Sequence, residues 1–579
     1  MPISILNKLK KIKNPYPKLL FLLIFPAFAF LLKPGYYNMH DDMQMIRQLE
    51  MEKCLQDGQI PCRWSPDLGY GYGYPLFNFY PPLPYFVGQV FRSLGFSFVN
   101  TVKLTAVSQF VFSAFAMYLL AGSLLGPLAG FLSALFYTYA PYHALNIYVR
   151  GAMNEAWAAV FFPLIFHFAR KIIIAPKLSL KTIFALSLSF TGLLLSHNPM
   201  ALTFTPFLFL WCLYFLIKQK FPLQKFFYLS LAGLFSLALA AFYTLPVLFE
   251  TNLVQTDSMF QNYYHFSAHF TSLYQIFISR FWDDGASVWG PNDDMSFQIG
   301  YLHWLLPTLL LVYTLFIFRQ LKSKQKRTGL LLVSLLTFAG LFSAFMTHQR
   351  SVFIWLALPL IQKVQFPWRF LNHSLFFFSL SIGVGLPIFL SRFKTKIRLL
   401  VVAVIVALLF GFNYQYFHPL KSGPVTDAQK FAGLAWTNQI TSGIYDYLPK
   451  TASTAAKGPA NPYLDVIIPD TTVKELSGAK KGTDWLFFNL NLDQDSQIVL
   501  PVLEFPNFEI KDNGQIINHS FEPELGRITI DLTRGNHQIY LKLRDTPIRT
   551  VSNIISLVSW LFLVLCLLKK PCNLPKLKN

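Results

Sequence analysis

A series of long apolar runs, separated by short basic clusters, constrains the fold of this chain more than any other feature. A helix needs roughly 20 predominantly apolar residues to cross the hydrocarbon core of a bilayer. About twelve runs approach that length, and the sequence predicts a membrane helix at each. They are 16–33, 99–121, 126–146, 155–171, 179–196, 200–217, 225–248, 298–318, 328–346, 371–391, 397–416 and 551–568.

Two weaker runs, 80–95 and 351–361, contain Pro or Arg or are too short to span. We interpret both as interfacial or re-entrant segments buried against protein, since exposed irregular backbone is not tolerated in lipid. The apolar run 19–32 is followed by Lys33, Pro34 and Gly35 instead of a small-residue cleavage site, which predicts an uncleaved first helix.

The basic clusters predict the orientation of the chain. If the lysine-rich N-terminus is cytoplasmic, the alternation of helices places the other basic clusters there too, as the positive-inside rule requires. These clusters are 170–181, 218–225, 319–327, 392–398 and 569–578. The net charge of +21 is therefore explained by membrane orientation and does not call for a nucleic-acid partner. The prediction is a multi-pass plasma-membrane protein with both termini in the cytoplasm.

The acidic residues have the opposite distribution. Under this topology every Asp and Glu lies outside the cytoplasm. This distribution disfavours a cytoplasmic nucleotide-binding domain. The sequence also has no phosphate-binding glycine pattern between a strand and a helix.

Residues 422–550 differ in composition from the apolar runs before them. Short alternating stretches at 485–492, 497–503, 527–532 and 537–543 predict strands, and Asn513-Gly514 and Gly535-Asn536 mark turns. The predicted fold is an α-helical multi-pass membrane domain, 1–421, with outer loops 34–98 and 249–297. A small extracytoplasmic β-sandwich follows at 422–550, and 551–579 forms the last helix with a basic tail.

The first outer loop contains the strongest candidate chemistry. Asp41 and Asp42 stand side by side next to His40, a few residues after the first helix. Such carboxylates could accept a proton from a hydroxyl or hold a divalent cation such as Mg²⁺ or Mn²⁺. The alternative is a solvated helix N-terminus, where Asp caps the helix and favours its dipole. Cys54 and Cys62 in the same loop could form a disulfide or remain free.

Further candidates lie at the predicted outer ends of helices. Tyr80 belongs to a Tyr-, Gly- and Pro-rich stretch that could stack on sugars or form a membrane-interface belt. Arg150 and Glu155 are costly at a membrane edge unless they are paired or face water. Arg150 could hold a phosphate, or the two could form only a structural pair.

His197 and Asn198 form a second such group, with either a ligand role or a structural role. Arg369, among aromatic residues, could clamp a lipid phosphate or anchor the interface. The long outer loop carries Asp283-Asp284 and Asp293-Asp294, for which solvated turns are favoured over a cation site because no calcium-loop spacing is present.

In combination these segments resemble the GT-C superfamily of polyprenyl-phosphate-sugar-dependent glycosyltransferases. The nearest resemblance is to bacterial membrane proteins labelled as 6-pyruvoyl-tetrahydropterin-synthase-related, with a looser likeness to YfhO-type membrane proteins. It covers nearly the whole chain. The segments that carry it are residues 40–42, Gly58-Gln59, Arg63-Trp64, 71–77, 80–85, 150–155, 196–199, 366–370 and the C-terminal β-domain.

The resemblance implies a catalytic acidic residue in the first outer loop and a sugar donor on a polyprenyl phosphate. Asp41 is the implied position and Asp42 its competitor, since many relatives carry Asp-Glu or a single Asp where this chain has Asp-Asp. The carboxylate would act on an acceptor hydroxyl, and Arg150 or Arg369 would stabilise the leaving phosphate, with inversion. The implied donor- and substrate-binding residues are His40, Arg63, Tyr80, Arg150, Glu155, His197, Asn198 and Arg369.

The expected function is therefore sugar transfer outside the cytoplasm onto a glycan, lipid or protein, with membrane lipids around the enzyme. A transporter or lipid flippase is the rival, but the chain shows no internal repeat with paired polar interruptions near mid-membrane. A non-enzymatic envelope-assembly protein that binds glycan through its β-domain is the third hypothesis.

Overall fold

A computed structural model describes residues 14–283, 285–290, 294–317, 324–468 and 473–568, without the side chains of 324–326, 473 and 474. The basic clusters before residue 14 and at 569–578, much of the cluster at 319–327, and Asp284 and Asp293 lie outside these residues. The orientation of the termini therefore stays a prediction.

Sixteen helices of nine residues or more occur in the described part of the chain, and we number them in chain order. They are α1 Tyr16–Phe28, α2 Gln44–Gln56, α3 Leu83–Ser93, α4 Phe98–Leu125, α5 Pro127–Thr138, α6 Met153–Ile174, α7 Leu180–Leu194, α8 Asn198–Lys218, α9 Leu223–Leu239, α10 Ala241–Glu250, α11 Tyr301–Ile317, α12 Lys324–Met346, α13 Leu371–Leu390, α14 Thr395–Asn413, α15 Gly433–Thr441 and α16 Pro547–Leu568.

These helices confirm a multi-pass membrane protein without confirming the number of spans. Within the described residues, seven helices are long and apolar enough to cross a membrane, and α9 with α10 make an eighth span if the bent pair counts as one. Four shorter apolar helices bring the total to the twelve predicted runs, but their length alone does not make them spans.

Two predicted runs are not single straight helices. The run 126–146 ends as a helix at Thr138, and a short helix Pro141–Ala144 and a π-helical turn Leu145–Val149 follow, because Pro141 cannot donate a helical hydrogen bond. The run 225–248 bends by 78° between α9 and α10. The Phe242 N–H freed near the bend donates to Ser556 Oγ of α16 at 2.8 Å.

The weaker run 80–95 forms α3, and the run 351–361 forms two short helices, Val352–Ala357 and Pro359–Gln362. None of these is among the spanning candidates of the described chain.

The C-terminal region forms two antiparallel sheets. We number the strands β1 Tyr36–Tyr37, β2 Ser422–Gly423, β3 Val466–Ile468, β4 Val473–Lys481, β5 Trp485–Leu492, β6 Ser496–Leu503, β7 Phe508–Asp512, β8 Gln515–Ile517, β9 Ser520–Phe521, β10 Arg527–Leu532 and β11 Gly535–Leu543. One sheet has the order β3-β6-β10-β9 and the other β4-β5-β11-β7-β8. Apolar residues of both sheets share one core, so the two faces pack together as a sandwich.

The strands occupy 466–543, a narrower range than the predicted domain 422–550. The preceding segment contains β2, a short helix Asp427–Lys430 and α15.

The first outer loop docks the sandwich onto the helices. Trp64 of this loop belongs to the sandwich core, where its ring meets the edge of Phe508 with 5.2 Å between ring centroids. The Cys54–Cys62 disulfide, one of the two sequence alternatives, is formed in the structure and closes the loop before Trp64.

A buried ion pair joins the bent span to the last helix. Arg549 is fully buried and donates from Nε to Glu250 Oε2 at 2.8 Å. Asn78 Nδ2 of the first outer loop donates to the same oxygen at 3.0 Å, and Thr546 donates to the other oxygen at 2.5 Å. Glu250 thus connects α10, α16 and the first loop.

We expect Arg549→Met to lower the free energy of unfolding by about 3–5 kcal/mol, because it leaves Glu250 buried without its cation. Adding Glu250→Leu should recover part of that loss, which a double-mutant cycle on thermal unfolding in detergent would measure. Arg544→Met is the matched control, since the Arg544–Glu509 pair is exposed. A loss no larger in Arg549→Met than in this control would contradict the structural role.

Candidate functional site

The backbone of the first outer loop is held on both sides. On one side, β1 pairs with β2, matching Tyr36 with Gly423 and Tyr37 with Ser422. On the other side, the His40 N–H donates to the Val149 carbonyl at 2.8 Å and the Asp41 N–H donates to the Arg150 carbonyl at 2.9 Å. These bonds place Asp41 directly beside Arg150. The side chain of His40 itself lies exposed.

Gly151 makes this close approach possible. Its φ is +69°, and a Cβ there would lie 2.5 Å from Met39 Sδ and 2.9 Å from the Asp41 carbonyl oxygen. Gln44 Nε2 fixes the same crossing by donating to the Gly151 carbonyl at 2.7 Å. Glycine is required here by both backbone conformation and space.

Asp41 faces a cationic and aromatic surface. Its Oδ2 lies 3.2 Å from Arg47 Nη1, and its side chain remains 39% exposed. The same Arg47 nitrogen donates to the Tyr80 hydroxyl at 3.0 Å. The structure therefore joins two predicted site residues, Asp41 and Tyr80, through an arginine that the sequence reasoning did not single out. Its position in α2, six residues after Asp41, was the available signal.

Asp42 has a different environment. Its carboxylate pairs with Lys430 from the segment before α15. Burial raises the pKa of Asp42, and Lys430 opposes that shift. Since Asp42 pairs with Lys430 and Asp41 with Arg47, the two adjacent carboxylates are paired with different cations.

Next to Asp41 lies a buried charge cluster, which we define as Arg150, Glu155 and Arg369. Glu155 Oε2 is 3.1 Å from Arg150 Nη2 and 3.4 Å from Arg369 Nε. Its Oε1 accepts hydrogen bonds from the Tyr142 hydroxyl at 2.9 Å and from Asn372 Nδ2 at 2.6 Å. Two guanidinium groups and one carboxylate leave this buried charge cluster with a net positive charge.

Aromatic rings cover the arginines of the cluster. The Arg150 guanidinium lies over the Trp368 ring, 4.2 Å from its centroid, and that of Arg369 lies over Phe366 at 4.8 Å. Burial of this kind strengthens electrostatic interactions with any anion that reaches the arginines.

His197 and Asn198 stabilise helix ends close to the cluster. His197 Nδ1 caps α8 by accepting a hydrogen bond from the Met200 N–H at 3.2 Å. Burial, with Arg369 and Arg150 adding to it, lowers the pKa of His197 to about 3, so the imidazole is neutral near pH 7. Asn198 Nδ2 donates to the Tyr243 hydroxyl at 2.7 Å. The geometry favours the structural alternative for both residues.

Arg63 lies in the network that joins the loop to the sandwich and the last helix. It donates to Asn78 at 2.7 Å and to Asn553 at 2.8 Å, and its Nε is 3.4 Å from Asp545. Burial lowers the pKa of Arg63 to about 10, with Asp545 opposing the shift. These contacts involve neither Asp41 nor Glu155. They favour a structural role for Arg63.

Asp446 is a further acidic residue that the sequence reasoning missed. It is half-buried and precedes Tyr447, whose ring meets the edge of the Tyr80 ring at 6.4 Å between centroids. Burial raises the pKa of Asp446 to about 6, with Arg47 opposing the shift and Asp41 adding to it. A pair of carboxylates in different environments is the arrangement used for acid and base chemistry.

The two acidic pairs of the long outer loop are only partly described. Asp284 and Asp293 are outside the described residues, and within those residues no group of three or more His, Cys, Asp or Glu side chains could hold a metal ion.

Comparisons with known proteins add similarities of low identity. No family model matches the chain. An uncharacterized protein of Lactococcus lactis subsp. cremoris (strain MG1363) is 25% identical over 373 residues, which are 61% of this chain and 54% of that protein.

Two solved structures are also similar. The crystal structure of ArnT from Cupriavidus metallidurans, bound to undecaprenyl phosphate, has a TM-score of 0.38 and 12% identity, covering 68% of this chain and 63% of ArnT. The archaeal oligosaccharyltransferase AglB from Archaeoglobus fulgidus, in complex with an inhibitory peptide and a dolichol-phosphate, has a TM-score of 0.41 and 13% identity, covering 77% of this chain and 61% of AglB.

The chain spans between about half and two thirds of the length of these three proteins. The TM-scores are too low to establish a shared fold or a shared activity.

We expect Gly151→Ala to destabilise the protein by roughly 1–2 kcal/mol, because it places a Cβ at positive φ against the Asp41 carbonyl. Thermal unfolding in detergent measures the effect. Gly122→Ala is the control, since Gly122 is helical, a Cβ there would make only an ordinary contact with the Gly130 Cα at 3.9 Å, and alanine favours helices. Equal stability of Gly151→Ala and the wild type would show that the loop does not cross the 149–151 segment as described.

Proposed function

We propose that this protein is a membrane glycosyltransferase that moves a sugar from a polyprenyl-phosphate donor to an acceptor hydroxyl outside the cytoplasm, with inversion. One observation carries the proposal. The Asp41 backbone N–H donates to the carbonyl of Arg150, a member of the buried, net-positive charge cluster, and the Asp41 carboxylate remains half-exposed. A base for an acceptor and a binding site for an anionic leaving group thus lie side by side.

The buried charge cluster suits a phosphate. Guanidinium groups match phosphate geometry and remain charged, and the cluster has one guanidinium more than its single carboxylate balances. Helices α6 and α8 begin beside it, and helix N-termini favour anions. Because α6 and α8 are candidate membrane spans, a lipid-linked phosphate could reach the arginines from the bilayer surface.

Asp41 suits the base better than Asp42. Asp41 is part of the surface formed with Arg47 and Tyr80 and adjoins the cluster, whereas Asp42 is paired with Lys430. In the proposed step the acceptor O–H gives its proton to Asp41 while its oxygen attacks the anomeric carbon. The bond from that carbon to the phosphate oxygen breaks, and the phosphate takes the electron pair beside Arg150 and Arg369.

No part of this step is routed through a metal ion. Assays with and without Mg²⁺ or Mn²⁺ would test whether one is required. The acceptor is proposed only as a hydroxyl of a glycan, lipid or protein.

We expect Asp41→Asn to lower transfer by about 10²–10⁴-fold, because it removes the base. Asp42→Asn is the matched control and should retain activity within about tenfold. The measurement is transfer from radiolabelled polyprenyl-phosphate sugars to membrane extracts containing each full-length variant.

Each other result has a defined meaning. Undiminished transfer in Asp41→Asn would remove the proposed base, and a large loss only in Asp42→Asn would reassign it. If the wild type transfers sugar from no donor, the transporter or envelope-assembly hypothesis is favoured instead.

We expect the pH dependence of sugar transfer to follow the ionisation of Asp446. Its pKa of about 6 means that it is largely protonated at pH 5 and ionised at pH 7. Ionisation gives the site a second carboxylate that can accept a proton from the acceptor hydroxyl. Transfer by the wild type should therefore rise between pH 5 and pH 7, and this rise should disappear in Asp446→Asn. A profile that is the same in both proteins would rule out this role for Asp446.

A further inference from the structure

The outer face of the five-stranded sheet carries a group of amide side chains. In β5 the side chains alternate, so that Asn489 and Asn491 point away from the sandwich core while Leu490 and Leu492 point into it. In β11, Gln538 lies opposite Asn489 and Asn536 lies opposite Asn491. Four amides thus form one continuous patch on neighbouring strands.

This amide patch lines an open cleft of about 290 Å³. Glu475 and Ser477 of β4 form one wall of the cleft, and Asn513 in the turn after β7 forms the other. The cleft lies on the sandwich, apart from Asp41 and the buried charge cluster.

Much of the hydrogen-bonding capacity in the cleft is unused by the protein. Gln538 Nε2 reaches Asn489 Oδ1 at 3.4 Å, a long hydrogen bond. The side chains of Asn491, Asn536 and Ser477 make no hydrogen bond to the described part of the chain. Each amide offers two donors and an acceptor with two lone pairs, a combination that matches hydroxyl groups, which also donate and accept.

Aromatic side chains continue the same face toward the membrane domain. Tyr540 lies opposite Phe487 in the strand register, and the Trp485 ring is 6.5 Å from the Tyr540 ring with 32° between their planes. The indole N–H of Trp485 donates to Asp57 of the first outer loop at 3.1 Å, which places this end of the face next to that loop. From Trp485 to Asn491 the strand extends about 20 Å, longer than a single sugar.

The charge of the cleft selects among polar ligands. Glu475 gives the cleft a carboxylate group. His537, which also lines the cleft, is hydrogen-bonded through Nδ1 to Asp512 Oδ2 at 2.8 Å. Among the side chains that the structure describes, no Lys or Arg lines the cleft, and Lys480 and Lys511 lie beyond it, opposite Phe487 and Tyr540 in the strand register. The cleft therefore disfavours a polyanion such as nucleic acid or an acidic glycan.

We propose that the amide patch and the adjoining aromatic side chains bind a neutral oligosaccharide. The amides would bond to its hydroxyls, and Phe487 and Tyr540 would contact the apolar faces of its rings. This binding needs no sugar transfer and no polyprenyl donor, so it can hold whether or not the proposed enzymatic function is correct.

The test is direct binding by the full-length protein in lipid nanodiscs, without donor. Maltoside detergents are avoided because their headgroups are themselves sugars. The probes are cellohexaose, maltohexaose and chitotetraose, with hexagalacturonate as the acidic control, and affinity is measured by thermophoresis and by saturation-transfer NMR. We expect at least one neutral probe to bind and hexagalacturonate to bind at least tenfold more weakly.

The variant Asn491→Ala/Gln538→Ala should weaken that binding at least tenfold. Gln497→Ala is the matched control, because Gln497 is an amide that bonds Asp531 on the other sheet. Asn491→Asp, which keeps the shape and removes the amide donor, provides a second variant if the double substitution lowers the melting temperature. No binding of any neutral probe at millimolar concentration, equal binding by the wild type and Asn491→Asp, or preferred binding of hexagalacturonate would overturn the proposal.

Discussion

The buried carboxylate of Glu155 must have its negative charge paired and hydrogen-bonded. That requirement organises the end of the helix bundle where the candidate site lies. A charge that is removed from water must be paired and hydrogen-bonded. Arg150, Arg369, Tyr142 and Asn372 meet that requirement from separate elements. Tyr142 lies in the short helix Pro141–Ala144, Arg150 follows the π-helical turn, and Asn372 lies in the first turn of α13. Because two arginines surround one carboxylate, the same compensation leaves positive charge at this end of the bundle.

The candidate base depends on that arrangement through the backbone. Asp41 is held by a hydrogen bond to the Arg150 carbonyl, so its position follows the segment that ends in the buried charge cluster. The buried carboxylate of Glu250 has a different role. Through Arg549 and Asn78 it connects α10, α16 and the first loop. One carboxylate thus organises the proposed chemistry, and the other joins the bent span and the last helix to the first loop.

The local pattern of the sequence predicted the elements of the fold well. The length of the apolar runs predicted every range that contains an apolar helix in the described chain. The alternation of polar and apolar residues predicted β5, β6, β10 and β11. Both signals depend only on nearby residues. The break at Pro141 and the bend between α9 and α10 were not predicted, although Pro141 itself was a visible signal. The span count remains unconfirmed because helix length in this fold does not by itself define a crossing.

The sequence by itself determined that this is a multi-pass membrane protein, that its acidic residues are absent from the basic clusters between its helices, and that Asp41 and Asp42 lie in the loop that follows the first helix. Only the tertiary structure distinguished the two. They are adjacent and chemically identical, so their difference comes from the residues that the fold brings against them: Arg47, Tyr80 and Arg150 around Asp41, and Lys430 beside Asp42. The electrostatic environment of a carboxylate depends on distance in space, which a linear pattern does not contain.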